Sequence, residues 1–494
     1  MKFVFPRNVF ATVGLALGLS FGLAACVSPP VEAPKTTVEQ QTDVATEQNL
    51  KDQVDILFMV DDSGSMAPKQ QALRTRFPDL IKVLDEFGAK SPASYHIGVV
   101  TSDLGAPGIS CGKNRGGKLQ QVGAGAATGC AGPTGKNYID YDQRVGAPPP
   151  NLPAGQDLPT TFGCMANVGD KGCGFEAQLE SVYRALHDPI AENQGFLRPG
   201  ALLAVIWVTD EDDCSADASS DLFTANPAYG NLASYRCTRF SIKCDGQFPL
   251  PATPVASFAS CEAATTADGN KLTDLTKYIN FFTQSKAKGG VKDNPRDVVL
   301  AAITAAPSPF STGMGSSTEI CGAGVSSCTI LNHSCISAQD SAFFGDPAVR
   351  LLNVLQKAQA NTVADICATD YKSALQAIGK KIVAALQPSC LTAPIADATK
   401  PDCVVEDVTV TGGVEVRKSI PFCGSASTKP CWATKQVADC PKICNPTNGQ
   451  FQQFGVAIDR GTGGMAPPNT TAQVSCATVA IANQDPNAAC GGAM

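Results

Sequence analysis

Residues 54–66 read Val-Asp-Ile-Leu-Phe-Met-Val-Asp-Asp-Ser-Gly-Ser-Met. The run from Val54 to Val60 is nearly continuous in apolar residues, the pattern of a strand covered on both faces. It passes directly into Asp61-Asp62-Ser63-Gly64-Ser65, where Asp61, Ser63 and Ser65 alternate and Gly64 permits a tight turn. Behind the turn, Leu73, Phe77, Leu80, Ile81, Leu84 and Phe87 fall at helical spacing. One carboxylate and two hydroxyls converging where a strand gives way to a helix form a hard, oxygen-only donor set, suited to Mg²⁺, Ca²⁺ or Mn²⁺. A competing reading makes the turn a helix cap, with Ser63 or Asp61 satisfying free N–H groups.

Outward from this point, strands and helices alternate. Strands are expected at 95–101, 201–209, 298–303 and 362–366. Helical periodicity marks Phe175 to Leu186, Leu272 to Phe282, Val349 to Leu355 and Tyr371 to Ile382. The expectation is an α/β fold, a doubly wound, mostly parallel, Rossmann-like sheet with helices on both faces. Ligands of such sheets sit beyond the carboxyl ends of the strands. Three insertions, near 103–172, 211–270 and 306–347, each follow a strand end and are rich in Gly, Pro, Ser or Cys. They are expected to crowd that face as long, disulfide-held loops.

ILFMVDDSGSM resembles the metal-ion-dependent adhesion site (MIDAS, motif DxSxS) of von Willebrand factor A (vWA) domains, and the resemblance covers roughly residues 52–387. It implies a second aspartate in a Thr-Asp pair at the end of the fourth strand, and Thr209-Asp210 stands there in Ala-Val-Ile-Trp-Val-Thr-Asp. It also implies a threonine ahead of a later helix. At that position this chain has Cys173, in Gly172-Cys173-Gly174-Phe175-Glu176-Ala177-Gln178-Leu179. A disulfide-bonded cysteine offers no hydroxyl, so Glu176 is the alternative oxygen donor; its other role is a charge in the first helical turn. The metal set is thus Asp61, Ser63, Ser65, Asp210 and Glu176, with Asp62, Thr209 and Asp212 in support. The run Glu211-Asp212-Asp213 reads as a solvated acidic loop, or, more sharply, as support for the ion or a second cation. Such an ion is incompletely neutralised, and a partner's Asp or Glu completes its shell.

The chain has 494 residues, 21 cysteines and three histidines. Lys2 and Arg7, the apolar run from Val9 to Leu23 and Leu23-Ala24-Ala25-Cys26 describe a secretory signal. Its ending looks like a bacterial lipobox, which implies removal of residues 1–25, lipidation of Cys26 and a membrane contact through acyl chains alone. Val27 in the following position favours the outer membrane of a Gram-negative cell. Removal takes the 38 basic residues to 36 against 45 acidic, a formal charge of −9. That balance argues against nucleic acid and suits divalent cations. Residues 26–50, with Pro29, Pro30 and Pro34, read as a flexible linker, 51–389 as the vWA-like domain, and 390–494 as a small Cys-rich β region. Within that last region, residues 404–410 and 414–420 suggest a hairpin turned at Gly412-Gly413. With Cys26 lipidated, twelve cysteines lie between Cys111 and Cys367 and eight between Cys390 and Cys490. Both sets are even, so each can close its own disulfides.

No Gly-x-x-x-x-Gly-Lys-Ser/Thr loop, HExxH or CxxC occurs, Gly108-Ile109-Ser110-Cys111-Gly112 spells GxSxG inside a Gly/Pro-rich insertion rather than at a strand-to-helix elbow, and His96 lies in mid-strand and reads as core. No nucleophile–base set is visible, so an enzyme is not expected. The expected function is cation-dependent binding of a protein or polysaccharide ligand at the cell envelope, as in an adhesin. The resemblance extends to cysteine-rich vWA lipoproteins of myxobacteria, at least one of which acts as an outer-membrane adhesin; VTDEDDCS and Ile366-Cys-x-x-Asp-Tyr371 carry it. The alternative is a non-adhesive envelope scaffold that uses the same metal contact.

Overall fold

The computed structural model describes residues 41–42, 53–88, 93–316, 321, 325–386, 391, 393–395, 397–411, 414–424, 428–437, 440, 442–445, 449–460 and 470–477. Cys26, most of the linker and the Gly412-Gly413 turn lie outside them. The central element is a six-stranded sheet of β1 (Gln53–Val60), β2 (Ser94–Thr101), β3 (Tyr138–Asp142), β4 (Leu202–Val208), β5 (Val298–Thr304) and β6 (Ala360–Asp365). Its spatial order is β6-β5-β4-β1-β2-β3. Every neighbouring pair is parallel except the β3 edge, which runs antiparallel to β2.

Side chains of β1 alternate between two cores, as the period of two demands. Ile56, Phe58 and Val60 enter one core with α1 (Ala67–Gly88), α2 (Leu158–Ala166) and α6 (Lys372–Leu386). Leu57 and Met59 enter the other with α3 (Gln178–His187), α4 (Thr276–Thr283) and α5 (Val349–Lys357). The sheet is therefore covered on both faces, which is why its strands read as unbroken apolar runs. Phe77 of α1 stacks on Phe162 of α2 with ring centroids 3.6 Å apart. Trp207 of β4 meets Phe282 of α4 edge-on.

The expected core elements are present, with shifted ends at two helices. Phe175 and Leu272 precede their helices and pack instead in a satellite core with Phe223, Phe240 and three half-cystines. The first insertion departs from the expectation of a long loop, because it contributes the edge strand β3 and helix α2. Both are short and bordered by Gly and Pro, so neither carries a long periodic signal.

All twelve cysteines between 111 and 367 pair among themselves, as 111–173, 130–164, 214–237, 244–261, 321–328 and 335–367. In the C-terminal region Cys403–Cys476 and Cys423–Cys431 are joined, and Cys440 and Cys444 are also disulfide-bonded. The expected hairpin forms, Cys403–Thr411 pairing antiparallel with Val414–Ile420. Thr470–Ala477 adds to its other side and in turn pairs with Gln41–Thr42 from the expected linker. Ile420, Trp432, Val456 and Val474 form a small separate core there. No helix among the described residues is long and apolar enough to cross a membrane.

Candidate metal centre

Strand order assembles the site. β1 and β4 are neighbours in register, Val60 opposite Val208, so the residues that follow them emerge side by side. The Asp61 N–H donates to Val208 O at 3.0 Å, which locks the two chain ends together. The order of strands reverses between these two, leaving a crevice beyond their carboxyl ends.

Asp61 is fully buried. Its carboxylate accepts from the Ser63 N–H (2.8 Å), the Ser102 hydroxyl (3.1 Å) and the Thr209 hydroxyl (2.7 Å). Thr209 in turn receives Gln178 Nε2 at 3.1 Å. The Ser63 and Ser65 hydroxyls lie 3.3 Å apart, and Ser63 makes no side-chain cap to the turn that follows. Capping therefore explains the Asp61 contact but neither serine. Two ligands on adjacent corners of an octahedral Mg²⁺, each at about 2.1 Å, stand about 3 Å apart, close to the observed serine spacing. Gly64 has an ordinary backbone conformation, and a Cβ there meets nothing within 4 Å, so the turn does not depend on glycine.

Cys173 is bonded to Cys111, so no hydroxyl is present at the position where the resemblance implies threonine. The same segment delivers Glu176, which is 1% exposed. One of its oxygens, Oε1, is buried without a partner, and its carboxyl lies near that of Glu211. Two buried carboxyls this close are favoured when one keeps its proton or a cation lies between them. Asp210 is also fully buried, and its Oδ1 has no partner. Its other oxygen receives Lys69 Nζ at 2.6 Å, an ion pair with both side chains wholly out of solvent.

The charge balance of the crevice is acidic, and the pKa values follow. Burial first, and then Asp210, push Asp61 up to about 6. Burial, Asp61 and Asp103 push Asp62 up to about 7. Glu176 is raised well above the usual carboxylate range by burial, Glu211 and Asp61, and Glu211 likewise by burial, Asp346, Asp210 and Asp61. Asp346, on the third insertion, is raised by burial while His333 Nδ1 lies 2.6 Å from its Oδ1.

The acidic run after Thr209 is not a solvated loop. Asp212 stands at the start of α5 and accepts the N–H groups of Val349, Arg350 and Leu351 at 2.8–3.0 Å. It does not support the hydroxyl turn, although burial pushes it up to about 6. Asp213 accepts the Leu179 N–H at the start of α3 (2.9 Å) and pairs with fully buried Arg350 at 3.2 Å. Both use carboxylates where helix N-termini favour them. Glu211 alone of the three turns toward the cluster. Asp62 is tied in by Ser102 (3.2 Å), and its backbone carbonyl accepts the Gly172 N–H (2.7 Å).

Sequence reasoning therefore found Asp61, Ser63, Ser65, Asp210, Glu176, Asp62 and Thr209, and the structure gathers these around one crevice. It missed Lys69, Ser102 and Asp346 as neighbours, and offered Glu211 only as the sharper of two readings of the acidic run. Only the position of Lys69, one turn beyond the motif on the same helix, carries a sequence signal.

The donor set fits a divalent cation: hard oxygens only, an excess of carboxylates, and two buried carboxylate oxygens, Glu176 Oε1 and Asp210 Oδ1, without partners. A second grouping, Cys335, Asp365 and Cys367, does not, since its two sulfurs are joined to each other. Beside the crevice lies a cleft of about 400 Å³ between the 104–114 loop, α3 and the 214–223 segment, with Lys113, Glu180 and Arg184 among its walls.

No family profile and no curated protein matches this chain. Among solved structures it is similar to the pilus adhesin SpaC from Lactobacillus rhamnosus GG, at 13% identity and a TM-score of 0.29. That match spans 87% of this chain and 40% of SpaC; the open conformation of SpaC gives the same identity and score over 44% of its length. The pilus adhesin RrgA from Streptococcus pneumoniae matches at 8% identity and a TM-score of 0.27, over 88% of this chain and 57% of RrgA. The chain thus spans about half the length of these proteins. Superpositions this shallow leave the fold to be argued from strand order and the function from the crevice.

Proposed function

We propose that this protein is a vWA-like envelope lipoprotein that binds a protein or polysaccharide ligand through a divalent cation, Mg²⁺ or Ca²⁺ with Mn²⁺ an alternative. The observation that carries the reading is the meeting of Asp61, Ser63 and Ser65 with Thr209-Asp210 at the β1–β4 switch, next to a buried Glu176 oxygen that lacks a partner. Ser63, Ser65 and Glu176 would hold the ion, with Asp61 and Asp210 balancing its charge. When bound, the ion supplies an electrophilic position that a ligand carboxylate can complete. Thr209, Ser102 and the Ser63 N–H orient Asp61 so that its charge faces the turn rather than solvent. This chemistry is recognition and requires no nucleophile. In the same reading Cys26 is lipidated and tethers the protein to the outer membrane.

The test is capture of ligand from envelope extract by the mature protein, with and without EDTA, against Ser63→Ala and Ser65→Ala. Loss of capture in EDTA and in both variants, with melting temperature unchanged within about 1 °C, is the expected result. Capture that persists in EDTA refutes the metal-dependent reading.

A further inference from the structure

We infer that Lys69 is a resident counter-ion of the crevice, which holds the site assembled in the absence of metal and lowers its affinity for divalent cations. The inference deepens the proposed metal reading and rests on it for the location of the cation.

Lys69 is wholly buried, a rare state for a lysine. Its ammonium touches Asp210 Oδ2 at 2.6 Å and the Ser65 carbonyl at 3.3 Å. It therefore bridges the two halves of the site, the Thr-Asp end of β4 and the hydroxyl turn after β1. Phe344 of the third insertion roofs it, with the ring centroid 4.0 Å from Nζ. The roof is fixed to the same aspartate: the Asp346 N–H donates to Asp210 O at 2.7 Å. A Cβ at Gly345, between Phe344 and Asp346, would lie 2.7 Å from both Ala305 and Ile366, so the roof seats only because that residue is glycine. His333 stacks on the outer side of Phe344 at 4.1 Å. Nothing in this arrangement lets the ammonium swing into solvent.

The electrostatic consequence is direct. Desolvating a lysine and an aspartate together is costly unless they pair closely, and here they do. Asp210, an acid that would balance an incoming dication, already has a partner, and the remaining negative charge facing the turn comes from Asp61, Glu176 and Glu211. A divalent ion arriving at Ser63 and Ser65 meets a fixed positive charge in a low-dielectric crevice, where repulsion is weakly screened. Removing that charge leaves Asp210 buried and unpaired, a deficit that the metal itself can make good.

The experiment compares the mature protein with Lys69→Gln and Lys69→Arg by titration calorimetry with Mg²⁺, Ca²⁺ and Mn²⁺, and by thermal unfolding in EDTA and in excess cation. Lys69→Gln is expected to bind at least one of these ions tenfold or more tightly than wild type. It is also expected to melt lower than wild type in EDTA and to recover when the ion is added; Lys69→Arg should keep the wild-type affinity. Binding by Lys69→Gln but none by wild type supports the counter-ion and overturns the metal-dependent reading of the native protein. Equal or weaker binding by Lys69→Gln overturns the counter-ion. So does a Lys69→Gln protein that fails to fold in EDTA and is not recovered by any of the three cations.

Discussion

Asparagine in place of Asp61 should make the metal-free protein more stable at neutral pH, not less. Asp61 is fully buried beside Asp210, and these two causes lift its pKa from near 3.8 to about 6. An acid with a raised pKa holds its proton more tightly in the folded state than in the unfolded one. Its contribution is therefore favourable below about pH 4 and is lost as pH rises through about 6. A gap of about two pH units at roughly 1.4 kcal/mol each makes the ionised carboxylate cost about 3 kcal/mol at pH 7.5. Asparagine copies the neutral acid, keeps an oxygen for the Ser63 N–H and the Ser102 hydroxyl, and meets Thr209, whose hydroxyl can rotate to accept. In EDTA at pH 7.5, Asp61→Asn should melt on the order of 5 °C above wild type by calorimetry. The gap should shrink to roughly half at pH 5, because the unfolded wild type still gains by ionising there. Adding the cation should close it from the wild-type side, since the ionised carboxylate then has a partner. A variant that melts below wild type in EDTA at pH 7.5, or a gap that does not narrow toward pH 5, refutes the reasoning.

Three other outcomes follow from the same geometry. Cation affinity should fall about tenfold between pH 7 and pH 5, since the ionised fraction of Asp61 drops from roughly nine-tenths to one-tenth and the ion competes with protons; calorimetric titration at both values reads it, and a flat profile counts against Asp61 as a partner of the ion. Asp213→Ala should cost about 3–5 kcal/mol in urea unfolding, because it strands fully buried Arg350 and uncaps α3, whereas the Asp213→Ala/Arg350→Met pair should recover most of the loss. Replacing Cys111 and Cys173 by serine opens a link across 62 residues and should cost about 4 kcal/mol, measured by denaturant unfolding under non-reducing conditions, while the other disulfides stay closed.

Local pattern alone was enough for the skeleton of this protein. The apolar run of β1, the helical spacing of α1 and the strength of β4 each express a physical requirement that acts over a few residues, burial on both faces or along one stripe, and each appears where the pattern put it. The even cysteine sets likewise constrained the staples, because an oxidised chain with twelve half-cystines in one region can close them all there. Asp61, Ser63, Ser65 and Asp210 were legible because their spacing is tied to strand ends. What the pattern could not settle was the environment of each charge. Glu211, Asp212 and Asp213 are consecutive acids, yet one faces the crevice, one caps α5 and one caps α3 while pairing with an arginine 137 residues away. Lys69 sits on an ordinary helix, and only the approach of β4 and the third insertion turns its ammonium into part of the site. Hydrophobic period is a local property of the chain, so it can be read along it. Charge neutralisation in a buried crevice depends on which segments the sheet order and the disulfides bring within a few ångströms, and that is decided only when the tertiary structure closes.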